Sequence, residues 1–401
     1  MMASGCAGAC GASVLLIEKN NRLGKKLSIT GGRRCNITNA QPNVDLFLDN
    51  FPEAKDFLLE PFLQFNVKHT FEFFEGRGLP LMVEDRRRAF PESEKAEDVC
   101  DVLADFVEES GNVDVMLNTT FKSFIFVDGV LEGIDTSRGT FRGSKIILAT
   151  GGLAAPETGS TGEGLSLLAS IGHTVKDPDP SMVPLKSPTE WVHNLSGTTV
   201  DEATLRFVQN GEIKHSVEGR ILFTHFGISG PTVINVARIV KELFPSGSVT
   251  ASLDLFPRMS AKQMDDMFKR MFEKSPKKLL KGVLRDVVQT KLANTIMDTM
   301  DPYIGDLKVS SVSKVQRKRV IDTLKSLNFP ITDTMGLSWS IVADGGVSPG
   351  EVDFANMTSK LYPNLYLIGD TLNINRPSGG FSLQLCWTTG WIAGTHAGTC
   401  L

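Results

Sequence analysis

The chain has 401 residues, and its 42 Lys and Arg against 46 Asp and Glu leave a formal net charge of −4. That length accommodates two or three domains with substantial cores, and the mildly acidic balance argues against a dedicated nucleic-acid binder. No apolar run reaches the roughly 18 residues a membrane span needs. Six scattered cysteines (Cys6, Cys10, Cys35, Cys100, Cys386, Cys400), with no C-x-x-C pair and no His at zinc-ligand spacing, point to reduced thiols, no metal site and a cytoplasmic protein.

Met1 to Cys10, rich in Ala, Gly, Cys and Met, reads as a buried helix that Gly11 ends, with Cys6 and Cys10 as small packing residues. It has no basic n-region and its apolar core runs into Glu18-Lys19, so it is not a signal peptide. Ala12-Ser-Val-Leu-Leu-Ile17 is a fully buried strand type ending at Glu18. A doubly wound sheet carries its Gly-x-Gly-x-x-Gly turn at the end of a central first strand, with an acidic residue about 20 positions on. Glu18 matches that acidic residue if the fingerprint lay just upstream of Met1. The expectation is therefore a truncated chain or a start assigned too late.

Arg22 to Asn39 is a loop dense in Gly, Lys, Arg and Asn. Phe51 to Gly76 is expected to be helical, as is Glu94 to Ser110, where Val99, Val102, Leu103 and Phe106 form a stripe. Phe121 to Gly152 predicts a β-meander with a tight turn at Asp128-Gly129, closed by the core strand Ile146 to Ala149. Gly162 to Ile171 follows as a helix. From 189 to 259 the pattern is antiparallel β, with a turn at Asn210-Gly211 and a helix start at Ser229-Gly-Pro231. Residues 260–330 are mostly helical, with Ser260 and Ser275 as N-caps and Pro276 at the first helical position of the second. The core pattern returns near 340. The expected domains are 1–188 with 340–401, then 189–259 with 331–339, and 260–330.

The tail carries most of the chemistry. Asn364-Leu-Tyr-Leu-Ile-Gly-Asp370 is a short buried strand ending in a glycine and a carboxylate, and Gly379-Gly380 open a further helix. The unpaired N–H groups of that helix attract an electron-rich group. A strand, a Gly-Asp and a second helix start aimed at one spot suit a dinucleotide cofactor with a reducible ring, which would carry the chemistry while the protein positions and polarises it.

Several motifs recur in an order that resembles a bacterial family of FAD-dependent oxidoreductases, which includes aminoacetone-oxidase-type enzymes and bile-acid-inducible flavin reductases. They are Leu23-Gly-Lys-Lys26, Thr30-Gly-Gly-Arg-Arg-Cys-Asn-Ile-Thr-Asn39, and Phe90-Pro91 with Ser93, Lys95 and Ala96. Ala149-Thr-Gly-Gly152 follows, with Pro156 and Thr158-Gly-Ser-Thr-Gly162, then Ser181-Met-Val-Pro-Leu185 and Phe223-Thr-His-Phe-Gly-Ile-Ser-Gly-Pro231. Ala343-Asp-Gly-Gly-Val347 and the tail complete the set. The likeness spans nearly the whole chain. It departs in lacking the first strand and fingerprint, and in having Arg33 where the family has a third glycine.

The resemblance implies an α/β fold: a Rossmann-like FAD-binding domain of the two-dinucleotide-binding-domain flavoprotein type, with an inserted antiparallel β unit and a helical unit. It implies hydride transfer between an organic small molecule, or NAD(P)H as a transient donor, and flavin N5. No second Gly-x-Gly-x-x-Gly supports a separate nicotinamide domain. Expected cofactor contacts are Glu18 and Lys19 at the strand end, Glu18 binding the adenosine ribose. Lys25, Lys26, Arg34 and Asn36 are expected on the pyrophosphate or a substrate anion. Thr150, Gly151, Gly152, Thr158 and Gly159 would line the cavity, and Gly369 with Asp370 would hold the ribityl chain. Gly379, Gly380, Phe381 and Gln384 belong at the pyrimidine end, Gln384 either as a donor or as a buried core amide. Gly380 and Phe381 are the main catalytic candidates, their helix start stabilising charge on the reduced ring. His225 is a candidate acid or base; His173 reads as structural. Arg34 is expected to lower the pKa of Cys35. Arg86, Arg87 and Arg88 read as a solvated basic face or an anion contact. Two rival readings stand beside this one: a cofactor-deficient remnant, and a flavin-linked tRNA-modifying protein. Oligomeric state is unreadable.

Overall fold

The structure, a computed structural model, describes every residue except 301–302, 337–338, 340–341 and 400–401, so Cys400 lies outside the described residues. The chain forms two units, Met1–Pro180 with Ser340–Leu401, and Ser181–Trp339.

The first unit begins with helix α1 (Met2–Ala9), almost wholly buried, and Gly11 turns the chain with φ 94° into strand β1 (Val14–Ile17). β2 (Thr38–Asn39), β3 (Leu81–Glu84) and β4 (Arg88–Pro91) make a small antiparallel sheet. The helical region expected before β3 is two helices, Lys55–Gln64 and Val67–Glu75. Helix α2 (Ala96–Glu109) buries Val99, Leu103 and Phe106 as its stripe predicts. β5 (Val113–Met116) then pairs in parallel with β1. The meander of β6 (Phe121–Val127), β7 (Val130–Thr136) and β8 (Gly139–Arg142) turns at Asp128 and Gly129, both with positive φ. β9 (Ile146–Leu148) leads to helix α3 (Glu163–Ser170).

β9 pairs in parallel with the C-terminal strand Leu365–Leu367, and the closing helix Phe381–Thr399 follows. The parallel layer is in two pieces. β1 has a strand partner only in β5, and β9 only in the C-terminal strand, among the described residues. An all-apolar strand in such a layer is normally buried on both faces, yet Leu15 of β1 is 38% exposed.

The closing helix meets α1 almost backbone to backbone. A Cβ on Gly390, Gly394 or Gly398 would stand 3.3 Å from the Met2 Cβ, 2.2 Å from the Ala3 carbonyl oxygen and 2.7 Å from the Cys10 Cβ respectively. Three glycines one turn apart thus form a groove for the small residues of α1. Cys6 packs there, while Cys10 is exposed at the helix end.

The second unit holds a seven-stranded antiparallel sheet, in the order 327–331, 249–254, 199–209, 212–224, 227–229, 185–186, 333–334. The Asn210-Gly211 turn joins two of these strands, both residues at positive φ. Its helices include Ala261–Lys274 and Lys314–Lys325, and sheet and helices share one hydrophobic core, from Val183 to Ile331. Ser260 caps its helix with a capping box to Gln263. Ser275 does not start a helix: it ends the preceding one. The chain after it forms a turn and an antiparallel bridge of Leu279 to Lys308, and the next helix starts at Leu280.

Asp265 joins the two long helices, accepting from Arg317 at 2.6 Å and pairing with Lys269 at 2.7 Å. The hydrogen bond from Arg317, then that from Lys269, hold its carboxyl down at about 2. A carboxyl depressed by folding stabilises above its unfolded pKa, and that stability is lost as the pH falls through the folded value. Asp265→Asn is therefore expected to cost about 1 kcal/mol at neutral pH, discounted for partial exposure. Urea denaturation should show the gap shrinking below pH 4 and closing near pH 2.

Candidate functional site

In the first unit the loops after β1, after β9 and after the C-terminal strand come together, each leaving the carboxyl end of a parallel strand. Open α/β sheets bind ligands there.

Glu18 is half-buried. Its Oε1 accepts from the Asn20 backbone N–H and from Asn20 Nδ2, both at 2.8 Å. Asn20 Nδ2 also donates to the Thr158 carbonyl at 2.9 Å, which ties the β1 loop to the β9 loop. Lys19 Nζ reaches Thr161 Oγ1 at 3.0 Å and Glu163 Oε2 at 3.1 Å. Lys25 Nζ donates to Asn20 Oδ1, and Lys26 Nζ to the Ala154 carbonyl and Ser160 Oγ. Lys19 and Lys26 thus reach the segment after β9 and stitch it in place, while Lys25 binds Asn20 within its own loop.

The backbone around them is made for close approach. Gly151 and Gly369 have φ 72° and 60°, a region costly for a side chain. A Cβ on Gly152 would meet the Asp370 carbonyl at 3.3 Å, and one on Gly159 would meet Asn20 Nδ2 at 2.8 Å. Thr150 is exposed, with Ala149 before it, and its Oγ1 lies over Gly164 at the start of α3.

Asp370 pairs with Arg376, a residue the sequence reading missed. The guanidinium is 6% exposed and also donates to Ser382 Oγ at 3.2 Å and to the Ile374 carbonyl. Burial pushes the neighbouring Cys386 thiol up to about 12, with the Asp370 charge adding to it.

At the head of the closing helix, Gly380 has φ 98°, and a Cβ there would stand 2.2 Å from the Thr38 carbonyl carbon. Asn39 Nδ2 donates to the Gly379 carbonyl at 3.2 Å. The Phe381 ring is buried among Phe47 and Phe51, so only its backbone can meet a ligand. Gln384 is wholly buried: its Oε1 accepts from Thr38 Oγ1 at 2.6 Å and Thr70 Oγ1 at 3.0 Å, and its Nε2 donates to Thr388 Oγ1. Of the two roles open to it, this is the core amide.

Five other residues singled out in the sequence lie apart from this cluster or differ in character. Arg34 spends its guanidinium on Glu84 and Glu94 and stacks over Phe90 at 4.3 Å, which raises its pKa chiefly through the Glu84 hydrogen bond. It is thereby neutralised by protein carboxylates, not poised for a cofactor anion. Asn36 packs its backbone N–H under Gly31. Cys35 is a correction: its thiol is fully buried, and burial raises it to about 12, outweighing any effect of Arg34. His225 belongs to the second unit, exposed in the turn after strand 212–224, its ring edge-on to Phe226 at 4.9 Å. His173 is structural, its ring held between Glu351 at 2.8 Å and Ser359 at 3.0 Å.

Arg33 is exposed, in left-handed backbone with φ 70°, where a glycine would be unstrained.

The residues fit a dinucleotide: a glycine-lined cradle joins the three strand ends, a carboxylate sits at the first of them, and a helix start lies beside β2. Comparison with known proteins agrees on the fold. A sequence profile of the HI0933-like protein Rossmann domain matches residues 1–396. A 3-dehydro-bile acid delta(4,6)-reductase of Clostridium scindens is 28% identical over 96% of this chain and 93% of that protein. A ribosomal RNA dihydrouridine synthase of Escherichia coli is 26% identical over 98% of this chain and 93% of its own length. Among solved structures, a 3-ketosteroid delta1-dehydrogenase of Sterolibacterium denitrificans superposes with a TM-score of 0.53 at 14% identity, over 99% of this chain and 97% of that one. The fold is that of a Rossmann-type FAD-binding protein.

Two outcomes are expected of variants here. Gly380→Ala should cost about 3 kcal/mol in chemical denaturation, since the new methyl meets backbone that cannot swing aside. Arg376→Ala leaves Asp370 without its partner, and should lower the ligand-free unfolding free energy by about 3 kcal/mol.

Proposed function

The chain belongs to the HI0933-like protein family, and on that premise we propose that it is an FAD-dependent oxidoreductase acting on an organic small molecule. The observation that carries this reading is the meeting of three strand-end loops in the first unit: Glu18 to Lys26, Thr150 to Glu163, and Gly369 to Gly380.

Glu18 would bind the adenosine ribose by exchanging its bonds to Asn20 for bonds to the hydroxyls. The Gly151-Gly152 and Gly369-Asp370 backbones would flank the diphosphate and ribityl chain, with Lys25 and Lys26 supplying positive charge. The bound flavin supplies hydride chemistry. The amides after Gly380 would set a fixed positive dipole at the pyrimidine end, and such preorganised donors favour the state with more negative charge. NAD(P)H as a transient electron donor, and a cytoplasmic location, remain part of the proposal.

A second reading, reduction of a base within RNA, draws support from the Escherichia coli relative, a ribosomal RNA dihydrouridine synthase, and from the exposed Arg33, Arg86 and Arg87, which have no ion pair among the described residues. It departs from the expectation of no nucleic-acid partner.

Titration of the purified chain with FAD, followed by flavin fluorescence, tests the proposal. Saturable binding is expected, weakened about tenfold or more in Glu18→Ala, as loss of a charged hydrogen-bond acceptor implies. Anaerobic addition of NADH or NADPH should bleach the bound flavin. A chain that unfolds cooperatively yet ignores FAD would be the cofactor-deficient remnant instead.

A further inference from the structure

The hairpin joining β3 and β4 turns through Asp85, Arg86 and Arg87, with Glu84 and Arg88 in register on either side. Arg86 and Arg87 have φ 60° and 58°, and Arg33, at 70°, shares that conformation. Arg33 lies in the loop that rests Gly31 on the Phe90 ring of β4. Left-handed backbone suits glycine and asparagine, and a long side chain persists there at a cost. Three arginines keep it within one small sheet and the loop packed on it.

All three side chains are exposed, and none has an ion pair or side-chain hydrogen bond among the described residues. Their neighbours differ. Arg34 is neutralised by Glu84 and Glu94, and Arg88 by Glu84 at 3.2 Å, both over the Phe90 ring. The local carboxylates are thus already engaged by the inner pair, except Asp85 in the turn itself. The outer three keep their charge.

A single side chain joins this turn to the candidate site. Asn39 Nδ2 donates to the Arg86 carbonyl at 3.1 Å and to the Gly379 carbonyl at 3.2 Å, and the Ala40 N–H donates to the Arg87 carbonyl. The backbone of the arginine turn is therefore fixed beside the glycines that start the closing helix. Arginine forks match the paired oxygens of phosphate and carboxylate groups.

We propose that Arg33, Arg86 and Arg87 bind an oxyanion carried by the substrate, a phosphodiester or a carboxylate, at the rim of the site beside Gly379. This deepens the flavoenzyme reading and rests on it for the identity of the ligand as substrate.

The test uses Arg86→Asn with Arg87→Gly, residues this turn accommodates without strain, and Arg33→Gly as a second variant. The probes are a uridine-rich oligoribonucleotide and cholate, each titrated against wild type and variants, with flavin content read from the visible spectrum. The variants should melt no lower than wild type, keep the wild-type flavin content, and bind one probe about tenfold or more weakly. Loss confined to the oligoribonucleotide, with a shallower salt dependence, assigns a phosphodiester. Loss confined to cholate assigns a carboxylate. Equal binding of both probes by variants and wild type, or binding of neither by wild type, overturns the proposal. Flavin content separates the two ideas. A colourless wild type whose probe binding still needs the arginines retains the oxyanion site and sinks the flavin reading. A yellow protein whose probe binding ignores them does the reverse.

Discussion

The first unit depends on backbone touching backbone along the closing helix. Gly390, Gly394 and Gly398 bring it onto α1, and Gly380 brings its start onto β2. At Gly380, Gly394 and Gly398 a methyl group would collide with main chain, while at Gly390 it would press on the Met2 side chain. Two elements far apart in sequence are thereby fixed against each other, and the site inherits its geometry from them. Dispersion energy falls off steeply with separation, so a helix pair in such close contact gains packing that larger side chains would forfeit.

The same economy governs the polar residues. The charged candidates of the cluster each have a protein partner: Glu18 and Lys25 in Asn20, Lys19 in Glu163, Lys26 in the Ala154 carbonyl, Asp370 in Arg376. These bonds hold loops that would otherwise be free, and they are bonds a ligand must replace. Exchange is easiest where the partner is a neutral amide, as with Glu18 and Asn20, and hardest where it is a buried guanidinium. Asp370 is the contact whose contribution to binding is therefore most reduced by competition from within the protein.

Much of this was legible because it is local. The Asp128-Gly129 and Asn210-Gly211 turns, the capping box at Ser260 and the buried, small-residue character of α1 each follow from a few adjacent residues, and each stands in the structure. The failures are long-range. Arg34 was read beside Cys35, but its partners are 50 and 60 positions away, and burial decides the thiol. For Gln384 the sequence left a ligand donor and a core amide open, and only the distant Thr38 and Thr70 decide for the amide. Arg376 lay in a loop without a motif. A lone arginine six residues after a strand-end aspartate was the available signal, and sequence alone does not separate it from a solvated one. Ser275 failed for a different reason: a serine and a proline satisfy the rules for a helix start, but the chain there was already committed to a bridge with Lys308.

The buried amide of Gln384 also bears on how a helix start can serve chemistry. A dipole stabilises developing charge only if it does not have to reorient when the charge appears. Gln384 is joined to β2 through Thr38, to helix Val67–Glu75 through Thr70, and to its own helix through Thr388, which in turn donates to the Phe65 carbonyl. A buried polar network of this kind specifies one arrangement when its members are satisfied. It fixes the first turn from below while Phe381 fixes it among aromatic rings. The residue that touches no ligand is thus the one that keeps the amides aimed, and the direction of the field at the candidate site is set within the core.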